Sequence, residues 1–188
     1  MTDTNRRMVA SAALAIGALL GMAGSFAPTA ELRALAWGTD GVAVIVGSAM
    51  LVMHHLRRGN EQLAAGFLVF LAGETLIVSA SGVELTASAP TLAAGAGLWS
   101  AGLALVSACS VMPRLVRAMG SIAAVLLAVT AARIFAGAGL TPLSKPLPFF
   151  AFPFLALTLV GWAWVHARPM MSRRITRPKV VELRADAA

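Results

Sequence analysis

QLAAGFLVFLAGETLIVSASG, residues Gln62–Gly82, decides the fold. Its 21 residues include one ionisable side chain, Glu74. A helix needs ~20 mostly apolar residues to cross the ~30 Å hydrocarbon layer of a bilayer, so this run reads as a membrane span. Five more runs of the same kind flank it: Met8–Ala27 and Ala36–Leu56 before it, Thr91–Met112, Leu115–Ala138 and Leu147–His166 after it. They fill most of the 188-residue chain. The expected fold is an all-α, polytopic bundle of six spans over residues 1–168, followed by a basic tail over 169–188.

Composition agrees. Apolar residues make up 59% of the chain and charged residues 12%, against ~25% charged in an ordinary soluble domain. A soluble fold of this size leaves too much surface in water to hide so much apolar area. The net charge of +7 does not point to nucleic acid, because the basic residues sit at span ends and in the tail rather than along one face. A single cysteine, Cys109, excludes an intrachain disulfide and a thiolate metal cluster, and reads as a small apolar filler near a helix end.

The basic residues set an expected orientation. Arg6 and Arg7 precede span 1, Arg57 and Arg58 follow span 2, and Arg114 and Arg117 lie between spans 4 and 5. Arg168, Arg173, Arg174, Arg177, Lys179 and Arg184 fall at the C-terminus. By the positive-inside rule, these 12 of the 15 basic residues put both termini in the cytoplasm. Arg33 and Lys145 face the other side, and Arg133 lies within span 5. The Arg bias, 13 Arg to 2 Lys, fits a GC-rich bacterial genome, and the expected location is a bacterial inner membrane. Trp37 and Trp99 at outer ends, and Trp162 and Trp164 near the inner end of span 6, read as an interfacial belt. Span 1 also has the outline of a signal peptide, but Pro28 spoils a cut after Ala27 and the run is span-length, so it is expected to be retained.

Short polar turns, such as Arg57–Glu61, make consecutive spans antiparallel neighbours. Gly17 and Gly21 form a G-x-x-x-G, suited to close helix packing within the chain or between copies. Pro153 is expected to kink span 6. A faint duplication, spans 2–3 against spans 4–5, has discordant offsets and reads as shared small-residue bias.

Glu74 is the sharpest chemical feature. A carboxylate at such depth is costly and faces a partner or a water-filled cavity. Arg133, near the outer end of span 5, is the expected partner, since its guanidinium can grip a carboxylate with two N–H groups. Asp40 reads as a first-turn acid at the start of span 2. The alternative gathers Asp40, Glu74 and Arg133 around one outward pocket. His54, His55 and His166 are weak metal or haem candidates. His54 and His55 leave the helix about 100° apart, and all three are expected as interfacial helix-end residues. No hydrolase, nucleotide-binding, zinc-protease or redox-dithiol motif occurs.

The leading functional expectation is a non-enzymatic accessory or scaffold protein in a membrane oligomer, with no cofactor. Its expected partners are the bilayer, anionic lipid at the cytoplasmic face, and a second copy or another membrane protein. One alternative is a small proton- or ion-linked transporter or channel using Glu74 and Arg133. The other is a membrane enzyme or haem protein using the histidines.

Overall fold

Each apolar run becomes one helix, and the helices close into a ring. The computed structural model describes residues 3–81 and 88–168. The expected tail, and most of the connection between spans 3 and 4, lie outside the described residues. Among the described residues there are six helices and no strands: α1 (Asp3–Ser25), α2 (Ala30–Leu56), α3 (Glu61–Ser81), α4 (Ala89–Ala108), α5 (Arg114–Phe135) and α6 (Ala151–Ala167). Five are long and apolar enough to cross a membrane; α6 is apolar but has 17 residues. The chain is thus built as a multi-pass helical membrane protein.

Each helix packs on its neighbours in sequence, and α6 returns to α1. The backbones of helices that are not consecutive around the ring stay apart, although side chains of α2, α3 and α6 meet inside it, and α4 separates α3 from α5. One end of the ring carries both ends of the described chain and is called the terminal end. The other carries the α1–α2, α3–α4 and α5–α6 connections and is called the distal end.

Glycine sets the tightest seams, because without an aqueous drive between helices in lipid, backbone contact and dispersion hold them together. A methyl group added at Gly102 would lie 2.6 Å from the Phe70 amide nitrogen, and one at Gly73 would lie 2.9 Å from the Gly95 carbonyl oxygen, so α3 and α4 touch backbone to backbone. Gly17 and Gly21 turn toward α2, so the G-x-x-x-G serves packing within the chain. Ser100 adds a bond between α4 and α5, its hydroxyl donating to the Ala124 carbonyl at 2.8 Å.

Helix ends depart from the sequence expectation where caps decide them. The Thr29 hydroxyl accepts from the Leu32 amide at 3.3 Å, which starts α2 at Ala30, six residues before the apolar run begins. Gly59 and Gly137 adopt φ of 70° and 92° and close the C-termini of α2 and α5. The next amides, of Asn60 and Ala138, then reach back to the His55 and Arg133 carbonyls at 3.0 and 2.9 Å. Pro153 does not kink α6. The helix starts at Ala151, so Pro153 sits in the first turn, where its missing N–H has no intrahelical acceptor to lose.

The tryptophans also divide differently. Trp99 and Trp162 are buried in the core rather than lying in a belt, and Trp37 is half-buried against α1. Trp164 is 49% exposed, with the Arg168 guanidinium 3.3 Å over its ring, as an interfacial indole would be. Trp99 and Trp162 belong to an aromatic column inside the ring. Phe70 stacks on Trp99 at 6.0 Å, Trp162 meets Phe70 at 5.3 Å and Phe67 at 4.8 Å, and His55 stacks on Phe67 at 5.5 Å.

Candidate functional site

Two polar clusters mark the two ends of this column. The distal one forms because α2 and α3 each carry a seam of buried residues that ends in an acid. On α3 the seam runs Leu63, Phe67, Phe70, Glu74, at steps of four, three and four that keep one helix face. On α2 it runs Val44, Gly47, Leu51, His54, and one step of four back from Val44 is Asp40. Asp40 is therefore not a first-turn acid. It lies ten residues past Ala30, about 15 Å along the helix, because Thr29 starts α2 early and Glu31 fills the first turn.

Both carboxyl groups line one cavity of about 80 Å³, built from α1, α2, α3, α4 and α6 with Pro142 of the α5–α6 connection at its rim. Glu74 is 3% exposed. Small residues make room for the acids. A methyl group at Gly21 would lie 2.7 Å from Asp40 Oδ2, and one at Gly41 would lie 3.2 Å from Glu74 Oε1. Among the described residues no cationic side chain pairs with either acid. The Trp99 indole neighbours the Glu74 carboxyl, but its buried Nε1 stays short of hydrogen-bond geometry with any acceptor. The Trp37 indole Nε1 donates instead to the Gly21 carbonyl at 3.2 Å, which fixes its ring at the cavity wall. Phe152 of α6 also lines the cavity, while Phe150 is exposed.

Arg133 is not part of this site. It is exposed on α5, and no ion pair joins it to Glu74. The reason is topological: α5 does not pack on α3, and no α5 residue lines the cavity. The expected Glu74–Arg133 pair is replaced by an Asp40–Glu74 pair of like charge.

The terminal cluster is the histidines, and it is buried. His54, His55 and His166 are 8%, 4% and 5% exposed, not interfacial side chains facing separate ways. The 100° between the first two is absorbed because α2 lies between α1 and α3. His54 turns to α1, with Nδ1 3.2 Å from Asp3 Oδ1, while His55 turns inward to Phe67 and His166. His166 Nδ1 lies 2.7 Å from the Trp162 carbonyl, which can only accept, so Nδ1 carries the proton. In neutral His166, Nε2 is then a lone pair, and His55 Nε2–H donates to it at 3.0 Å. Arg58 adds a second bond to Asp3 at 3.2 Å, and Arg7, buried beside them, donates from Nη1 to the Arg168 carbonyl at 3.3 Å. Among the described residues no group of three or more His, Cys, Asp or Glu is arranged to hold a metal ion. The histidine nitrogens mostly bond to one another and to the chain, as a packing cluster does.

Cys109 lies apart, just beyond α4. Burial pushes its thiol above the usual range, and the Arg117 guanidinium pulls the other way. Its Sγ donates to the Leu105 carbonyl at 3.4 Å.

Sequence reading names Asp40 and Glu74 but misses Phe70 and Trp99, which line the cavity beside them, and Phe67 and Trp162, which continue the aromatic column away from it. The three- and four-residue spacing that carries Phe67 and Phe70 to Glu74 is the signal that finds them. Compared with known protein families, curated proteins and solved structures, the chain matches none of them.

Proposed function

We propose that this chain is a small multi-pass carrier of a bacterial inner membrane that binds a cation in exchange for a proton at Asp40 and Glu74. The single supporting observation is the cavity that holds both acids without a cationic side chain. Two uncompensated negative charges in a mostly apolar space cost several kcal/mol each, so such a site is neutralised by a proton or by a bound cation. A group that takes either one in turn is what ion–proton exchange needs. The reading departs from the accessory role that short loops and absent motifs favour, and it keeps Glu74 while replacing Arg133 by Asp40.

The terminal end is read as cytoplasmic. Arg6, Arg7, Arg57, Arg58, Arg114 and Arg117 gather there, as the positive-inside rule requires of an N-in, C-in protein. The cavity then faces the outer half of the membrane, and the aromatic column separates it from the inner face. Alternating access requires the column to part on the cytoplasmic side of the acids.

The test is flux in proteoliposomes holding the full chain. An imposed pH gradient drives cation uptake, while Glu74→Gln and Asp40→Asn each fold normally and abolish it. Uptake that survives both substitutions unchanged removes the carboxyl pair, and with it the reading.

A further inference from the structure

We infer that the cavity selects a small alkylammonium ion, from methylammonium to tetramethylammonium, over inorganic cations; this rests on the carrier reading above. Three features of the site carry it beyond the presence of acids.

The first is the wall. Apart from the two carboxyl groups and the Ser25 and Ser88 hydroxyls, the lining is apolar and aromatic, with Trp37, Trp99, Phe70 and Phe152 around the acids. Hard metal cations want a shell of about six or more oxygens, or keep their own water. This wall offers few oxygens, and the Ser25 hydroxyl already donates to the Gly21 carbonyl at 3.2 Å. An alkylammonium spreads its charge over methyl groups. These rest against apolar walls and over indole faces, where a cation is attracted by the ring quadrupole.

The second feature is size. A water needs at least about 10–15 Å³ of such space, so 80 Å³ equals roughly five to eight waters. That admits a few carbon atoms around one nitrogen. It falls short of the ~300 Å³ at which drug-sized ligands begin.

The third is the buried, unengaged polarity aimed into the space. Glu74 is 97% buried, from its 3% exposure, and has no cationic partner; the buried Trp99 N–H beside it stays short of full hydrogen-bond geometry. Gly21 and Gly41 make room for the acids at the wall, since a methyl group at either would crowd a carboxylate oxygen. Both acids thus sit at the cavity wall against glycine backbone rather than against side chains of the neighbouring turns.

The experiment uses the full chain in nanodiscs at constant ionic strength. Proton release into weakly buffered solution and tryptophan fluorescence are read as methylammonium, tetramethylammonium, tetraphenylphosphonium, Na⁺ or K⁺ is added. The expected result is saturable proton release by the two small alkylammonium ions, at concentrations at least tenfold lower than for Na⁺ or K⁺. Glu74→Gln abolishes it. Trp37→Leu, at a half-buried position that tolerates change better than Trp99, weakens tetramethylammonium binding roughly three- to thirtyfold, the range from an exposed to a desolvated cation–π contact. Proton release by Na⁺ or K⁺ alone overturns the alkylammonium assignment and leaves the carrier reading standing. Release by tetraphenylphosphonium alone overturns the size limit and with it this inference. No release by any cation, together with Glu74→Gln behaving as the unmodified chain does, overturns both.

Discussion

The two ends of the ring treat buried polar groups in opposite ways. At the terminal end most polar side chains find one another, although His55 Nδ1 and Arg7 Nε stay unbonded: His54 with Asp3, Asp3 with Arg58, His55 with His166, and His166 with the Trp162 carbonyl. At the distal end Asp40 and Glu74 face a cavity and each other, with no cationic side chain between them. Buried groups that close on themselves stabilise a fold, whereas a buried charge left open lowers stability and is retained for what it binds. One helix, α2, contributes polar side chains to both ends, so the contrast is not one of helix type or composition. It arises from which residues continue each seam.

The column between the ends should be the most sensitive point. Trp162 is 1% exposed and touches both Phe67 and Phe70. Trp162→Ala is expected to cost ~3–5 kcal/mol, as large aromatic truncations in cores do. Loss of soluble, monodisperse protein after graded heating in detergent measures it. A negligible loss there would mean that the ring is held by its glycine seams alone.

The two polar clusters should then respond with opposite signs. His166→Ala removes two hydrogen bonds and strands His55, so it should destabilise by ~2–4 kcal/mol. Glu74→Met keeps the volume and removes a buried carboxyl without a counter-ion, so it should stabilise by ~1–3 kcal/mol while proton release disappears. The pair is read in one heating experiment. If both variants melt early, Glu74 is part of the scaffold and the contrast between the ends collapses.

Much of this was legible in the chain. Glu74 stands out in Gln62–Gly82 because nothing else there ionises, and the six runs mark the six helices. What escaped is set by closure. Whether α3 meets α5 depends on the order of helices around the ring, and no local pattern in either helix encodes that. Asp40 was misread for a smaller reason: the apolar run begins at Ala36, but the Thr29 hydroxyl starts the helix at Ala30. The histidines were misread because a 100° separation does not keep two rings apart: His54 reaches Asp3 and His55 reaches Phe67, and both rings still meet His166. Trp99 and Trp162 were assigned to the interface by sequence depth, although their burial follows from which face of α4 and α6 meets α3.

Arg133 is where the closure argument is most exposed. Its side chain is outside the ring on α5, and its backbone carbonyl caps the helix by accepting from the Ala138 amide, a bond that any residue can make. Arg133→Ala should therefore change stability by no more than ~0.5 kcal/mol, as surface substitutions do, and leave cation-driven proton release as it was. The sequence pattern taken alone demands the opposite, because removing the guanidinium from a Glu74–Arg133 pair would strand a buried carboxylate at ~3–5 kcal/mol. The two expectations differ by enough to be told apart in a single melt. A strongly destabilised Arg133→Ala would require α3 and α5 to approach each other, which the ring order α3–α4–α5 forbids.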